Sequence, residues 1–295
     1  MRLNPRFIDK FVRAALLFQA LFTVSILVFI VFIVFIKGAA NITPEFILSY
    51  PEDMGRHGGI FPAIIGTVFL AVLSIALATP LGVGTAIYLT EYTKESTLTR
   101  VIRFGVESLA GIPSIIYGLF GFIFFVIKLK LGWSLLSGTL TIMIMVLPTI
   151  IRTAEEAIKS VPRNLRMVSF SLGATKWETV TKVVLPSAAP GILTGIMLSV
   201  GRAVSETAAV IFTMGSSLRL PTSLLDSGRT MAVHFYILAR EGISLEKAYA
   251  TALVLVVSIL FFNIAAYYTM NKMISRYSEE HGRQGSHTTT QTQLR

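Results

Sequence analysis

The chain has 295 residues, of which 53% are hydrophobic and 14% charged, and its mean hydropathy is +0.70. An ordinary water-soluble domain carries about a quarter charged residues, so the composition excludes that class and points to a membrane protein. The absence of cysteine removes disulfides, thiolate metal sites and a cysteine nucleophile, and the net charge of +10 bears on nucleic acid only once its distribution between loops is known.

A helix needs about 20 apolar residues to cross roughly 30 Å of hydrocarbon, and six segments qualify. The first, Ala14 to Ile36, follows Arg2, Arg6, Lys10 and Arg13. Its 23 uncharged residues exceed the apolar core of a signal peptide, about 7–15 residues, so residues 1–13 are expected to be a cytoplasmic N-terminus before a retained helix. The second, Ile60 to Thr90, contains Pro62, Pro80, Gly82 and Gly84 and is too long for one straight span, which predicts an interfacial lead-in or a kink. Phe104 to Ile127, Leu131 to Ile151, Val183 to about Thr213, and Ala248 to Asn271 follow. The fold class is therefore all-α, a polytopic membrane protein with six transmembrane helices occupying 14–271. The polar stretch 278–295 is expected to be a disordered cytoplasmic tail. Seventeen Lys and Arg fall on the side of the N-terminus against eight on the other, which places both termini in the cytoplasm and leaves the basic balance without need of nucleic acid.

The longest cytoplasmic connection, 152–182, reads RTAEEAIKSVPRNLRMVSFSLGATKWETVTK. Leu165, Val168 and Leu172 share a helical face, Gly173 supplies a stop, and Thr175 with Glu178 has capping-box spacing ahead of a second short helix bearing Trp177. Two such helices either pack at the membrane interface, with Trp177 as an anchor, or present a face to a groove on a soluble partner. Periodicity leaves both open.

The fifth segment carries Gly201-Arg202-Ala203-Val204-Ser205-Glu206-Thr207. A charge at the centre of a lipid-exposed helix costs about 2.5–3.5 kcal/mol on insertion scales, so Arg202 and Glu206 must face protein or water. Four residues apart on one helix, they can pair in cis, and a purely structural ion pair is one reading. The other is that they line a translocation pathway, where the guanidinium offers a planar fork to an oxyanion and Glu206 holds and partly offsets it. Gly191, Gly195 and Gly201 suggest a close helix approach nearby. Glu107 is the remaining charged residue within the spans, and a structural or gating role suits it. Pro80 and Pro113 read as kinks or helix starts.

No G-x-x-x-x-G-K-[ST], G-x-S-x-G or H-E-x-x-H occurs, and His57, His234, His281 and His287 have no metal-ligand spacing. The chain is accordingly expected not to be an enzyme and to hold no cofactor or metal.

The run Gly173-Ala174 followed by Val183-Val184-Leu185-Pro186 resembles the loop motif of ABC importer permeases, although Met167-Val168-Ser169 stands where the motif has Glu-Ala-Ala. Gly111-Ile112-Pro113-Ser114-Ile115-Ile116-Tyr117-Gly118-Leu119-Phe120, the run Leu185 to Gly195, and 201–207 resemble the phosphate importer permeases, and 231–239 resembles their A-type subunit. The resemblance covers roughly Ile60 to Asn271 and implies the type I importer fold in the cell inner membrane. It also implies a C-type companion permease, an ATPase dimer that uses ATP, and an external phosphate-binding protein. On that basis Leu165, Val168, Leu172, Gly173, Ala174, Trp177, Leu185 and Pro186 would couple to the ATPase, while Arg202 and Glu206 would line the phosphate pathway. Alternating access would follow, with the loop from Glu155 to Lys182 transmitting ATPase closure. A permease for molybdate or sulfate, a secondary transporter or channel, and a membrane scaffold are the alternatives.

Overall fold

The computed structural model describes residues 5–265, 267 and 268; residues 1–4 of the expected N-terminal segment, the end of the sixth span and the expected tail lie outside them. The chain runs α1 (Pro5–Ala39), α2 (Pro44–Leu48), the two-residue strands β1 (Pro51–Glu52) and β2 (His57–Gly58), α3 (Phe61–Ile87), α4 (Thr97–Ala110), α5 (Ser114–Gly121), α6 (Leu135–Ser160), α7 (Arg163–Ser171), α8 (Lys176–Thr179), α9 (Leu185–Ser205), α10 (Ala208–Thr213) and α11 (Met231–Arg240). A last helix, α12, covers Leu245–Ala265. Three stretches of wider π-helical turns extend these helices: Tyr88–Tyr92 after α3, Phe122–Lys128 after α5 and Val180–Val184 before α9.

Helices α3, α6 and α9 form the centre, and α6 is its axis: 61% of its most apolar window is buried, against none of the window in Asp9–Ala39. The core runs through Leu70, Ile142, Met145, Val146, Ile150, Val204, Val210 and Met214. A second cluster around Ile158, Val184 and Ala188 lies beside the loop that follows α6, and a third, around Phe46, Ile60 and Met231, lies at the other end. Lipid tails are as apolar as leucine, so close packing between small residues has to supply much of the helix association. Gly191 and Gly195 do this against α6: a Cβ at Gly191 would lie 2.6 Å from the Ala157 Cβ, and one at Gly195 would overlap the Thr153 side chain. Gly201, expected to join them, has no atom within 4 Å of its Cβ position.

Three expected spans are redrawn. Phe104 to Ile127 is not a straight helix, because α4 and the α5 helix with its extension meet at a bend of 101°. Pro113 lacks an amide hydrogen and drives Ile112 out of helical geometry, so the helix stops at Ala110. The fourth span begins at Leu135 rather than Leu131, after left-handed Lys130 and Gly132, and continues to Ser160, so the first part of the expected loop is helix. The fifth is broken at Glu206, whose ψ of 132° is extended, before the separate helix α10. The second span, in contrast, is one helix with Pro62 in its first turn and Pro80 inside.

Candidate functional site

The break in the fifth span sets the geometry around Arg202. Because α9 ends at Ser205, the two charges do not share a helical face, and no ion pair within 4.0 Å joins Arg202 to Glu206. Glu206 instead turns forward: its Oε1 accepts the Ala209 amide at 3.3 Å and so satisfies a donor at the start of α10. Arg202 is half-buried, and among the described residues its guanidinium has no hydrogen-bond or ion-pair partner. The expectation of a cis ion pair is thus overturned, for the physical reason that the helix required by the four-residue spacing ends between the two residues.

Tyr117 closes the site from α5. It is buried, lies within the electrostatic reach of Arg202, and donates its hydroxyl to the Leu109 carbonyl at 2.7 Å, tying α5 to α4 across the bend. Gly118 sets the neighbouring contact, since a Cβ there would lie 2.8 Å from the Ala209 Cα. Helix α5, just after the elbow, and the start of α10, just after the break, therefore pack against one another.

The loop helices form the second region. Gly173 takes φ +81°, the left-handed conformation expected of a helix stop, and the Thr175–Glu178 capping box is formed. Ser169 and Thr179 share a buried hydroxyl contact of 2.8 Å that holds α7 to α8. Leu165, Val168, Leu172 and Trp177 are exposed on the chain, joined by Met167 and Phe170, which the reading of the loop left out. Leu172 is 83% exposed, so this face of α7 is left uncovered although the helix is held to its own bundle through Arg166 and Ser169. Ala174 is half-buried, whereas Leu185 and Pro186 open α9, with Leu185 packed on the cluster around Ile158. The structure separates them from the outward face.

Charged contacts that spacing does not reveal hold this end together. Arg166 on α7 binds Glu91 in the turn after α3 through Nε at 3.0 Å and Nη2 at 2.7 Å. Arg103 on α4 binds Glu155 on α6 at 2.8 Å and also reaches Glu95, whose carboxyl it holds below the usual range by hydrogen bonding and charge. Glu107 is exposed and faces Arg152 at 3.5 Å.

At the opposite end, Arg229 and His234 are buried together, with Nη1 of Arg229 donating to Nδ1 of His234 at 3.2 Å. Burial, with the Arg229 charge second, pushes the imidazole pKa down to about 3, and burial also lowers the Arg229 pKa to about 10. His234 is therefore a neutral packing residue under the 51–58 hairpin, where Gly55 at φ +98° approaches its ring.

Comparisons with known proteins agree with this architecture. The family described as "binding-protein-dependent transport system inner membrane component" matches residues 78–275. The probable ABC transporter permease protein YqgI of Bacillus subtilis is 31% identical over 280 residues, covering 90% of this chain and 95% of its own. The phosphate transport system permease proteins PstA 1 of Mycobacterium tuberculosis and PstA of Pasteurella multocida are 34% and 33% identical, over 73% and 81% of this chain and 71% and 86% of theirs. Among solved structures, a bacterial alginate ABC transporter chain superposes with a TM-score of 0.68 at 16% identity, over 93% of this chain and 99% of that one. A chain of the MetNI methionine ABC transporter gives 0.61 at 18%, over 72% and 95%. These likenesses establish the type I importer permease fold, and the chain belongs to the binding-protein-dependent transport inner membrane component family, as a multi-pass, non-catalytic membrane subunit.

Proposed function

We propose that this chain is the A-type permease subunit of an ATP-driven phosphate importer and forms half of its translocation pathway. The observation that carries the reading is half-buried Arg202, whose guanidinium has no partner among the described residues, at a helix break in the bundle. A planar fork of donors in a site of reduced polarity suits two oxygens of a phosphate ion. The two PstA relatives support phosphate as the cargo. Glu206 shapes the break and so positions Arg202 rather than neutralising it.

The remaining parts follow from that reading. A C-type companion permease supplies the other half of the pathway, two ATPase subunits bind and hydrolyse ATP, and an external binding protein delivers phosphate. Both termini are cytoplasmic. The exposed face of Leu165, Val168, Leu172 and Trp177, with the turn at Gly173-Ala174, docks on the ATPase, and Leu185-Pro186 begins the helix that receives the motion.

The complex reconstituted in proteoliposomes, with the binding protein outside the transport direction's starting face, tests the reading. Labelled phosphate should accumulate only with ATP and resist a tenfold excess of molybdate or sulfate, well inside the discrimination of about 10⁴ that a site built on hydrogen bonds can reach. Equal competition by either anion would assign another oxyanion, and accumulation without the ATPase would assign a secondary transporter or channel.

A further inference from the structure

We propose that the widened turn Tyr88–Tyr92 at the end of α3 is the receiving end of the docking helices, with the Glu91–Arg166 pair as the strut that carries their displacement into the bundle. The inference rests on the reading of α7 and α8 as the ATPase-docking segment.

Arg166 is placed as a junction rather than as a surface charge. Its side chain is 17% exposed and that of Glu91 12%. Besides the two bonds to Glu91, its Nη1 donates to the Val161 carbonyl at 2.6 Å and its Nη2 to the Ile158 carbonyl at 2.9 Å. One guanidinium therefore joins α7 to the last turn of α6 and to the turn after α3. The second docking helix reaches the same turn, where Lys176 Nζ lies over the Tyr92 ring at 5.1 Å. Because Ser169 and Thr179 lock α7 to α8, both helices meet neighbouring residues of one turn as a single body.

The chain path offers a softer route. From α8 it enters α9 through Val180–Val184, a second stretch of π-helical turns, a conformation common at sites of local distortion. Motion sent that way reaches α9 through that joint alone, whereas the turn at Tyr88–Tyr92, also π-helical, is cross-braced to α6 and α7 by the charge-assisted bonds of Arg166. Helix α3 packs on both α6 and α9, so a push on its end moves the core that carries Arg202.

The test uses the full complex with its binding protein. Arg166→Gln and Glu91→Gln should leave ATPase copurification and basal hydrolysis unchanged but lower phosphate taken up per ATP by about tenfold, within the usual range of coupling between sites. Lost copurification would reduce the pair to a folding element and overturn the strut, as would normal uptake per ATP. The chain has no cysteine of its own, so Glu91→Cys with Arg166→Cys can be joined by a short bis-maleimide, each maleimide adding one thiol across its double bond, in a complex whose other chains are cysteine-free. Linking should restore uptake; a linked complex that still fails would contradict a pair that moves as one. If the wild-type chain itself retained no ATPase, the docking reading would fall and the strut with it.

Discussion

Tyr117 donates its hydroxyl to the carbonyl of Leu109 at 2.7 Å, and that one bond spans a change of helix direction of 101°. The Leu109 carbonyl also accepts the Ile112 amide at 3.1 Å, so it is served on both sides of the bend. The Tyr117 ring is buried beside the broken fifth span, so the elbow is fixed where the proposed pathway runs.

Removing that hydroxyl is the first prediction. Tyr117→Phe keeps the ring and its packing but deletes a hydrogen bond of about 0.5–1.5 kcal/mol. The purified complex should melt a few degrees lower in a thermal-shift assay with uptake reduced less than fivefold, while Gly118→Leu, which drives a side chain into Ala209, should prevent assembly. Unaltered melting of Tyr117→Phe would mean that the elbow is held by packing alone.

The glycines of α9 separate cleanly. Gly195→Val forces α9 from Thr153 and, as an overpacked contact, should cost about 1–3 kcal/mol. Gly201→Ala meets open space in the chain and should be neutral or slightly stabilising, as Gly-to-Ala changes within helices usually are. Yield and melting temperature of the two variants, compared side by side, check the pairing of α6 with α9.

The His234 site gives a pH dependence whose sign is fixed. Its folded pKa of about 3 lies below the ordinary 6.5, so between these values the unfolded chain binds a proton that the folded chain refuses. The stabilisation is complete above pH 6.5 and declines as pH falls toward 3. Melting temperature should therefore drop between pH 7.5 and pH 5, and His234→Gln should flatten that drop while lowering stability at pH 7.5. An equally steep drop in the variant would place the acid sensitivity elsewhere.

Glu206 distinguishes a cap from a counter-ion. Glu206→Gln keeps an acceptor for the Ala209 amide and should retain most stability, whereas Glu206→Ala should lose about 1 kcal/mol, as removal of a helix cap does. Equal damage from both substitutions, measured by thermal unfolding, would restore the ion pair with Arg202.

Much of this molecule was legible in the order of its residues, because apolar length and local capping are local properties. The apolar runs gave the central helices, Gly173 gave the stop after α7, and Thr175 with Glu178 gave the start of α8. Contacts between distant segments were not legible. Nothing in the spacing near Ser205 announces a break, because no proline or glycine stands there; Glu206 compensates by capping α10, whose Ala209 abuts Gly118 some 90 positions earlier in the chain. The partners of Arg103 and Arg166 likewise come from other helices, so the charges that hold the loop end were invisible as pairs. His234, without ligand spacing, proved to be a buried acceptor for Arg229.

The central claim, that Arg202 meets phosphate, is tested most directly by uptake in proteoliposomes carrying Arg202→Gln, with ATPase assembly and basal hydrolysis measured on the same preparation. Losing charge-assisted hydrogen bonds of about 1.5–3 kcal/mol should lower uptake roughly 10- to 100-fold while assembly and hydrolysis persist. Wild-type uptake by Arg202→Gln would contradict the claim, and loss of the assembled complex would make Arg202 a residue of packing instead.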